Sequence, residues 1–193
     1  MKKKILTILI SASLLVASSM CTVLADNNDF CSGYWPSSQS LTIAIHPSGN
    51  PFQSYVKNNY SQWNGISNNL KFIRCDLTGP YFNSGNINIY GENLPSAYGE
   101  ALNWVEVYGG YNQPSWSGKW VTSTINLDTT SGSAGLLSKS ENFKKKVVIH
   151  ELGHSLGLDH PDHSYYNAIM HDGDNGYYTV QAHDKDNINA KYN

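Results

Sequence analysis

The chain has 193 residues, of which 40% are apolar and 12% aromatic, enough to bury one core and too few to promise two. Its formal charge is −2, from 13 basic against 15 acidic side chains. That leaves no cationic excess for a polyphosphate backbone, so no nucleic-acid partner is expected.

The first element is a leader. Lys2, Lys3 and Lys4 precede an apolar run from Ile5 to Val16 and a small-residue stretch ending in Val23-Leu24-Ala25, the pattern of a signal peptide spanning residues 1–25. As a membrane anchor the run is short and interrupted by Ser11, Ser13, Ser18 and Ser19, and Met20 argues against lipid attachment at Cys21. Cleavage after Ala25 predicts an extracellular protein, monomeric and without stable membrane association, in which residues 26–193 form one domain. It leaves ten basic against fifteen acidic residues, a charge of −5. Two cysteines remain, Cys31 and Cys75, and in an exported chain they are expected to form one disulfide that pins the N-terminal segment to the core.

Beyond the leader, Leu41 to Ile45 alternates with period two and predicts a strand, closed by the turn-prone His46-Pro47-Ser48-Gly49-Asn50. Phe52, Tyr55, Val56, Tyr60 and Trp63 recur at helical spacing until Gly65. Further strands are expected at 70–75, 87–90, near Trp104 to Tyr108, and at 121–127, with the stretch between Gly91 and Gly118 otherwise loop. Ser138-Lys139-Ser140-Glu141 reads as a capping box for a second helix carrying Phe143, Val147, Leu152 and Leu156 and ending at Gly157. A weak helical pattern covers residues 179–192. The order of elements makes an α/β (α+β) fold with five strands and the second helix against the sheet.

The chemistry concentrates at residues 150–160, His-Glu-Leu-Gly-His-Ser-Leu-Gly-Leu-Asp-His. Histidines four apart on a helix project from one face, so His150 and His154 can reach one Zn²⁺. A positive φ at Gly157 would end the helix and return the chain so that His160 becomes a third ligand, leaving a fourth position open for water. Glu151 sits beside the metal, placed to take a proton from that water, so no serine or cysteine nucleophile is needed.

These eleven residues resemble the zinc-binding consensus of the metzincin metalloproteases, and Ala168-Ile169-Met170 resembles the Met-turn of that clan. The resemblance implies a twisted, mostly parallel five-stranded sheet with two helices, and a small C-terminal subdomain with the Met-turn and one helix. It implies that Met170 lies as an apolar floor beneath the histidines. Within the clan the pattern is most similar to the matrixins. His183 to Tyr192 resembles their final helix, which implies that Asp184 hydrogen-bonds the Met-turn backbone.

Departures from that pattern have consequences. His183 replaces the first aspartate of the matrixin helix, so docking of the mature N-terminus in the matrixin manner is not expected. Pro161 stands where a small hydroxyl residue is usual. Asp172 occupies the place where astacin-like and serralysin-like members carry a zinc-binding tyrosine, so three histidines and water should complete the site.

The family also makes Ca²⁺ possible at Asp172-Gly173-Asp174-Asn175-Gly176, although that loop lacks the later carboxylates of a dedicated calcium loop. His46, His163, His171 and His183 show no ligand spacing and read as surface or hydrogen-bonded histidines, while Tyr165, Tyr166, Tyr177 and Tyr178 could line a substrate pocket or merely pack. Segment 29–35 lacks the arginine and the Pro-Asp of a matrixin cysteine switch, leaving a free Cys31 thiolate that blocks the metal as the rival to the disulfide.

Taken together the residues predict a secreted zinc endopeptidase acting on protein or peptide substrate. The alternatives are a zinc-bearing adhesion or binding module and a latent enzyme.

Overall fold

The computed structural model describes residues 29–37, 39–77, 85–107 and 111–193. The expected leader lies outside the described residues, and among the described residues no helix is long and apolar enough to cross a membrane.

A six-stranded sheet forms one layer: β1 (Gln39–Ile45), β2 (Leu70–Leu77), β3 (Ile87–Glu92), β4 (Gly99–Val107), β5 (Tyr111–Pro114) and β6 (Trp120–Asp128), in the order β2-β1-β3-β6-β4-β5. β2, β1, β3 and β6 run parallel, whereas β4 pairs antiparallel with β6 and β5 antiparallel with β4. Two features depart from expectation. β4 begins at Gly99, well before Trp104, and the Gly- and Asn-rich stretch after it contributes a sixth strand. β6 supplies a template for β4 and β4 in turn supplies one for β5, so tertiary pairing overrides local preference.

α1 (Gln53–Asn59) and α2 (Glu141–Ser155) lie against the sheet. The inward residues of alternating strands, Leu41, Ile43, Ile45, Ile87, Ile89, Ile125 and Leu127, are buried with Val56, Ile149 and Leu152 of the helices. Each contributes about 1.5–3 kcal/mol relative to exposure. The N-cap of α2 is Ser140, whose hydroxyl accepts from Phe143 N at 3.2 Å. Ser138, expected to open the helix, instead ends a 3₁₀ turn and donates to the Ser133 and Gly135 carbonyls. The shift follows from Leu136, fully buried in that turn, which anchors the chain before the helix starts.

α2 runs through the interior, so side chains from elsewhere satisfy its carbonyls. Trp63 Nε1 donates to Ile149 O, Asn103 Nδ2 to His154 O, Trp35 Nε1 to Ser155 O and the Tyr192 hydroxyl to Leu156 O. Its C-terminus is a Schellman turn, with Leu158 N on Gly153 O at 3.1 Å and Gly157 N on His154 O at 2.9 Å. Gly157 has φ 89°, which a residue with a side chain rarely adopts. The chain then passes through residues 158–181 without regular structure to α3 (Ala182–Tyr192).

Cys31 and Cys75 are not joined by a disulfide. Cys31 lies beside the end of α2, where its thiol contacts Gly157 O at 3.4 Å, while Cys75 sits on β2, bonded to β1 on the far side of the sheet order from β4. What pins the N-terminal segment is hydrogen bonding: Phe30 bridges Leu158, Tyr34 bridges Lys119, and Lys191 Nζ donates to Cys31 O.

Candidate metal centre and catalytic cleft

α2 supplies two of the three histidines and the reversal at Gly157 supplies the third. The Nε2 atoms of His150, His154 and His160 lie 2.9 Å (150 to 154), 3.1 Å (150 to 160) and 3.2 Å (154 to 160) apart. The outer nitrogens of two of them are held by backbone carbonyls: His150 Nδ1 donates to Ile169 O at 3.1 Å and His154 Nδ1 to Leu158 O at 2.8 Å. That assignment leaves both Nε2 lone pairs facing each other and His160. Three imidazole nitrogens brought so close repel unless a cation lies between them, and the spacing approaches that of ligands around a tetrahedral zinc. Among the described residues these histidines form the one group of side chains that could hold a metal.

The electrostatics agree with a site built for a cation. Burial pushes the His154 imidazole down to about 4 and His150 well below its ordinary value, keeping both neutral and ready to ligate. Glu151 is 5% exposed. Burial, then the charges of Glu100 and Asp172, push its carboxyl up to about 8, with Lys146 opposing. A Cβ at Gly99 would lie 2.6 Å from Glu151 Oε1, so the first residue of β4 gives this carboxyl its room.

Met170 is 2% exposed and packs beneath the helix, where a Cβ at Gly153 would meet its sulfur at 2.3 Å. Asp184 on α3 accepts from Ile169 N at 2.9 Å, from Met170 N at 3.4 Å and from Gln181 N at 2.7 Å. Burial raises its pKa despite these bonds.

The histidines open onto a cleft of ≈ 520 Å³ whose walls include Pro95, Ala97, Glu100 and Trp116 together with Glu151 and His160. Beside it a pocket of ≈ 230 Å³ runs along α2 past Phe143, Lys146, Val147 and Glu151 to Asp172. Along the outer edge of β4, residues Gly99 to Leu102 pair with no strand among the described residues, because β5 reaches only Trp104 to Val107.

Several features escaped sequence reading. Lys146, 3% exposed, donates its ammonium to the His171 and Gly173 carbonyls, with Asp172 and Asp174 nearby. A fixed cation thus already organises the loop where calcium was considered. His183 is buried against Asp29, so the N-terminal segment does dock on α3, with the acid on the segment and the base on the helix. The partners are 154 residues apart, and no local pattern signals such a pair. Asp172 Oδ1 lies 3.2 Å from His160 Nε2. Of the four tyrosines, Tyr165 is 71% exposed, Tyr177 donates to Asn167 and Tyr178 to Asp174; none is among the residues lining the two cavities beside the histidines.

The three histidines and the glutamate on one helix form a site of the kind a metallopeptidase carries on its HExxH helix. Residues 117–183 match the family described as dual-action HEIGH metallo-peptidase, roughly a third of the chain; Leu152 stands where that five-letter motif has isoleucine. The crystal structure of myroilysin is similar with a TM-score of 0.50 at 14% identity, covering 88% of this chain and 94% of that one, a likeness of fold alone. A second structure of myroilysin shows 17% identity and a TM-score of 0.41 over 66% of this chain and 44% of its own. No curated protein matches the chain.

Proposed function

We propose that the protein is a secreted zinc endopeptidase of metzincin type, most like the matrixins in its Met-turn and final helix, acting as a monomer on extended peptide. The observation that carries this reading is the convergence of three histidines, two of them kept neutral by burial, beside a buried glutamate. A structural metal has no use for that glutamate, whereas a hydrolase needs a base next to the attacking water.

Zinc held by His150, His154 and His160 would supply a Lewis acid and lower the pKa of water there to about 7. Glu151 then accepts the proton of the attacking water and delivers it to the departing amine. The unpaired edge of β4 offers backbone groups to a peptide lying along it as an added strand, which presents the scissile carbonyl between the histidines and Glu151. Fastened by Asp184, the backbone at Ile169 holds His150 in turn through its carbonyl.

The test is cleavage of a mixed peptide library by the purified protein with and without 1,10-phenanthroline. Internal cuts abolished by the chelator support the reading. Stoichiometric zinc without any cut would replace it with the binding-module alternative.

A further inference from the structure

The N-terminal segment 29–31 does more than lie on the surface. Asp29 O accepts from Asp159 N at 2.8 Å, Phe30 bridges Leu158 antiparallel, and Cys31 N donates to Gly157 O at 3.0 Å. The segment thus pairs with the short stretch of chain that leads from α2 to His160. The carboxylate of Asp29 reaches past the histidine as well: Oδ1 accepts from Asp162 N at 3.1 Å. One residue therefore grips the backbone at position 159 with its carbonyl and at position 162 with its side chain, on both sides of His160. Leu158, bridged by Phe30, is also the residue whose carbonyl orients His154.

The carboxylate is itself anchored from behind. Asp29 is 1% exposed; His183 Nε2 donates to its Oδ2, Asn187 Nδ2 approaches the same oxygen at 3.4 Å, and Tyr166 stacks on His183 at 4.1 Å with the rings 9° from parallel. A buried carboxylate is a costly way to hold a segment down, because an apolar side chain of similar size would do so without desolvating a charge. Its value lies in direction: two oxygens aimed at an amide and an imidazole fix a register that apolar packing leaves free.

We propose that Asp29 is a positioning residue for His160, clamping the backbone on both sides of the third histidine and thereby setting the metal affinity of the site. The proposal rests on the reading of His160 as a zinc ligand. That loop has no regular secondary structure of its own, and His160 is half-exposed where His150 and His154 are buried. The backbone of His150 and His154 is set by α2, whereas that of His160 is set by contacts made outside any regular element.

The experiment is a double-mutant cycle on zinc affinity, measured by chelator competition on the full secreted protein, with the melting temperature of each metal-free variant recorded alongside. Asp29→Ala should weaken zinc binding on the order of 10–100-fold, the usual penalty for losing a residue that orients a ligand. In the His160→Ala background the same change should alter affinity by less than about twofold, since there is no third ligand left to position. Asp29→Asn, which keeps an oxygen for Asp162 N, should recover most of the loss. Equal weakening in both backgrounds, or none in either, overturns the proposal and leaves Asp29 as a structural tie. If Asp29→Ala does not fold, Asp162→Pro removes the amide donor from the exposed side of the loop, and unchanged zinc affinity in that variant overturns it equally. A wild-type protein that binds no stoichiometric zinc would sink both this inference and the proposed function, whereas an additive cycle on a zinc-binding wild type sinks the inference alone.

Discussion

Glu151 is the residue whose environment is most unusual. It is buried among groups that include two further acids, Glu100 and Asp172, and it gains its space from a glycine. Glu151→Gln preserves shape and leaves the histidines untouched, so it should retain stoichiometric zinc while lowering kcat by several orders of magnitude. Zinc content by elemental analysis beside a peptide assay checks both halves.

The same residue predicts a pH dependence in the metal-free protein. Its folded pKa of about 8 stands above the ordinary 4.5, so between those values the folded state holds a proton that the unfolded chain has released, and stability falls as pH rises. His154, near 4 when folded and 6.5 when not, contributes the opposite slope, gaining stability as pH rises through that window and complete above 6.5. From pH 6.5 to 8 the glutamate acts without that opposition. The melting temperature of metal-free protein should decline across this interval, and the decline should vanish in Glu151→Gln. A flat profile in the wild type would refute the burial of an uncompensated carboxyl.

At the scale of elements, the centre depends on how α2 ends. The Schellman turn at Gly157 converts a helix carrying two histidines into a chain reversal that delivers the third, and the reversal is possible because Gly157 adopts φ 89°. Alanine there pays roughly 1–2 kcal/mol for the left-handed backbone. Its Cβ would also meet Lys191 Cε at 2.5 Å and Trp120 at 2.7 Å. Gly157→Ala should therefore lower the melting temperature by several degrees and weaken zinc binding as well, both readable by calorimetry with and without metal. Apart from the cap, which moves from Ser138 to Ser140, this stretch was legible from the order of its residues because stripe, turn and ligand spacing all fall within about twenty positions. β5 and the early start of β4 were not, since their residues become strand only by pairing with a neighbour already in place.

Across the whole molecule, two responses are expected. Zinc should raise the melting temperature in a concentration-dependent way, as any ligand of the native state alone does, and its removal by chelator should reverse the gain. A reducing agent should leave the melting temperature unchanged and two thiols should titrate after unfolding, because Cys31 and Cys75 are held apart on different parts of the fold. The expected disulfide came from compartment and count alone, which say how thiols behave on average and nothing about where two chain segments come to rest. Asp29 teaches the same lesson from the other direction. It meets His183 and Asn187, partners more than 150 residues away, in a buried cluster beside the loop that carries His160. The helix and the spacing of three histidines are properties of short segments, so the order of residues was enough to foresee them. The sixth strand, the unbonded cysteines, the Lys146 ammonium beneath residues 171–173 and the Asp29 clamp arise from meetings between distant segments, and those become defined when the core closes and burial makes each polar group find a partner.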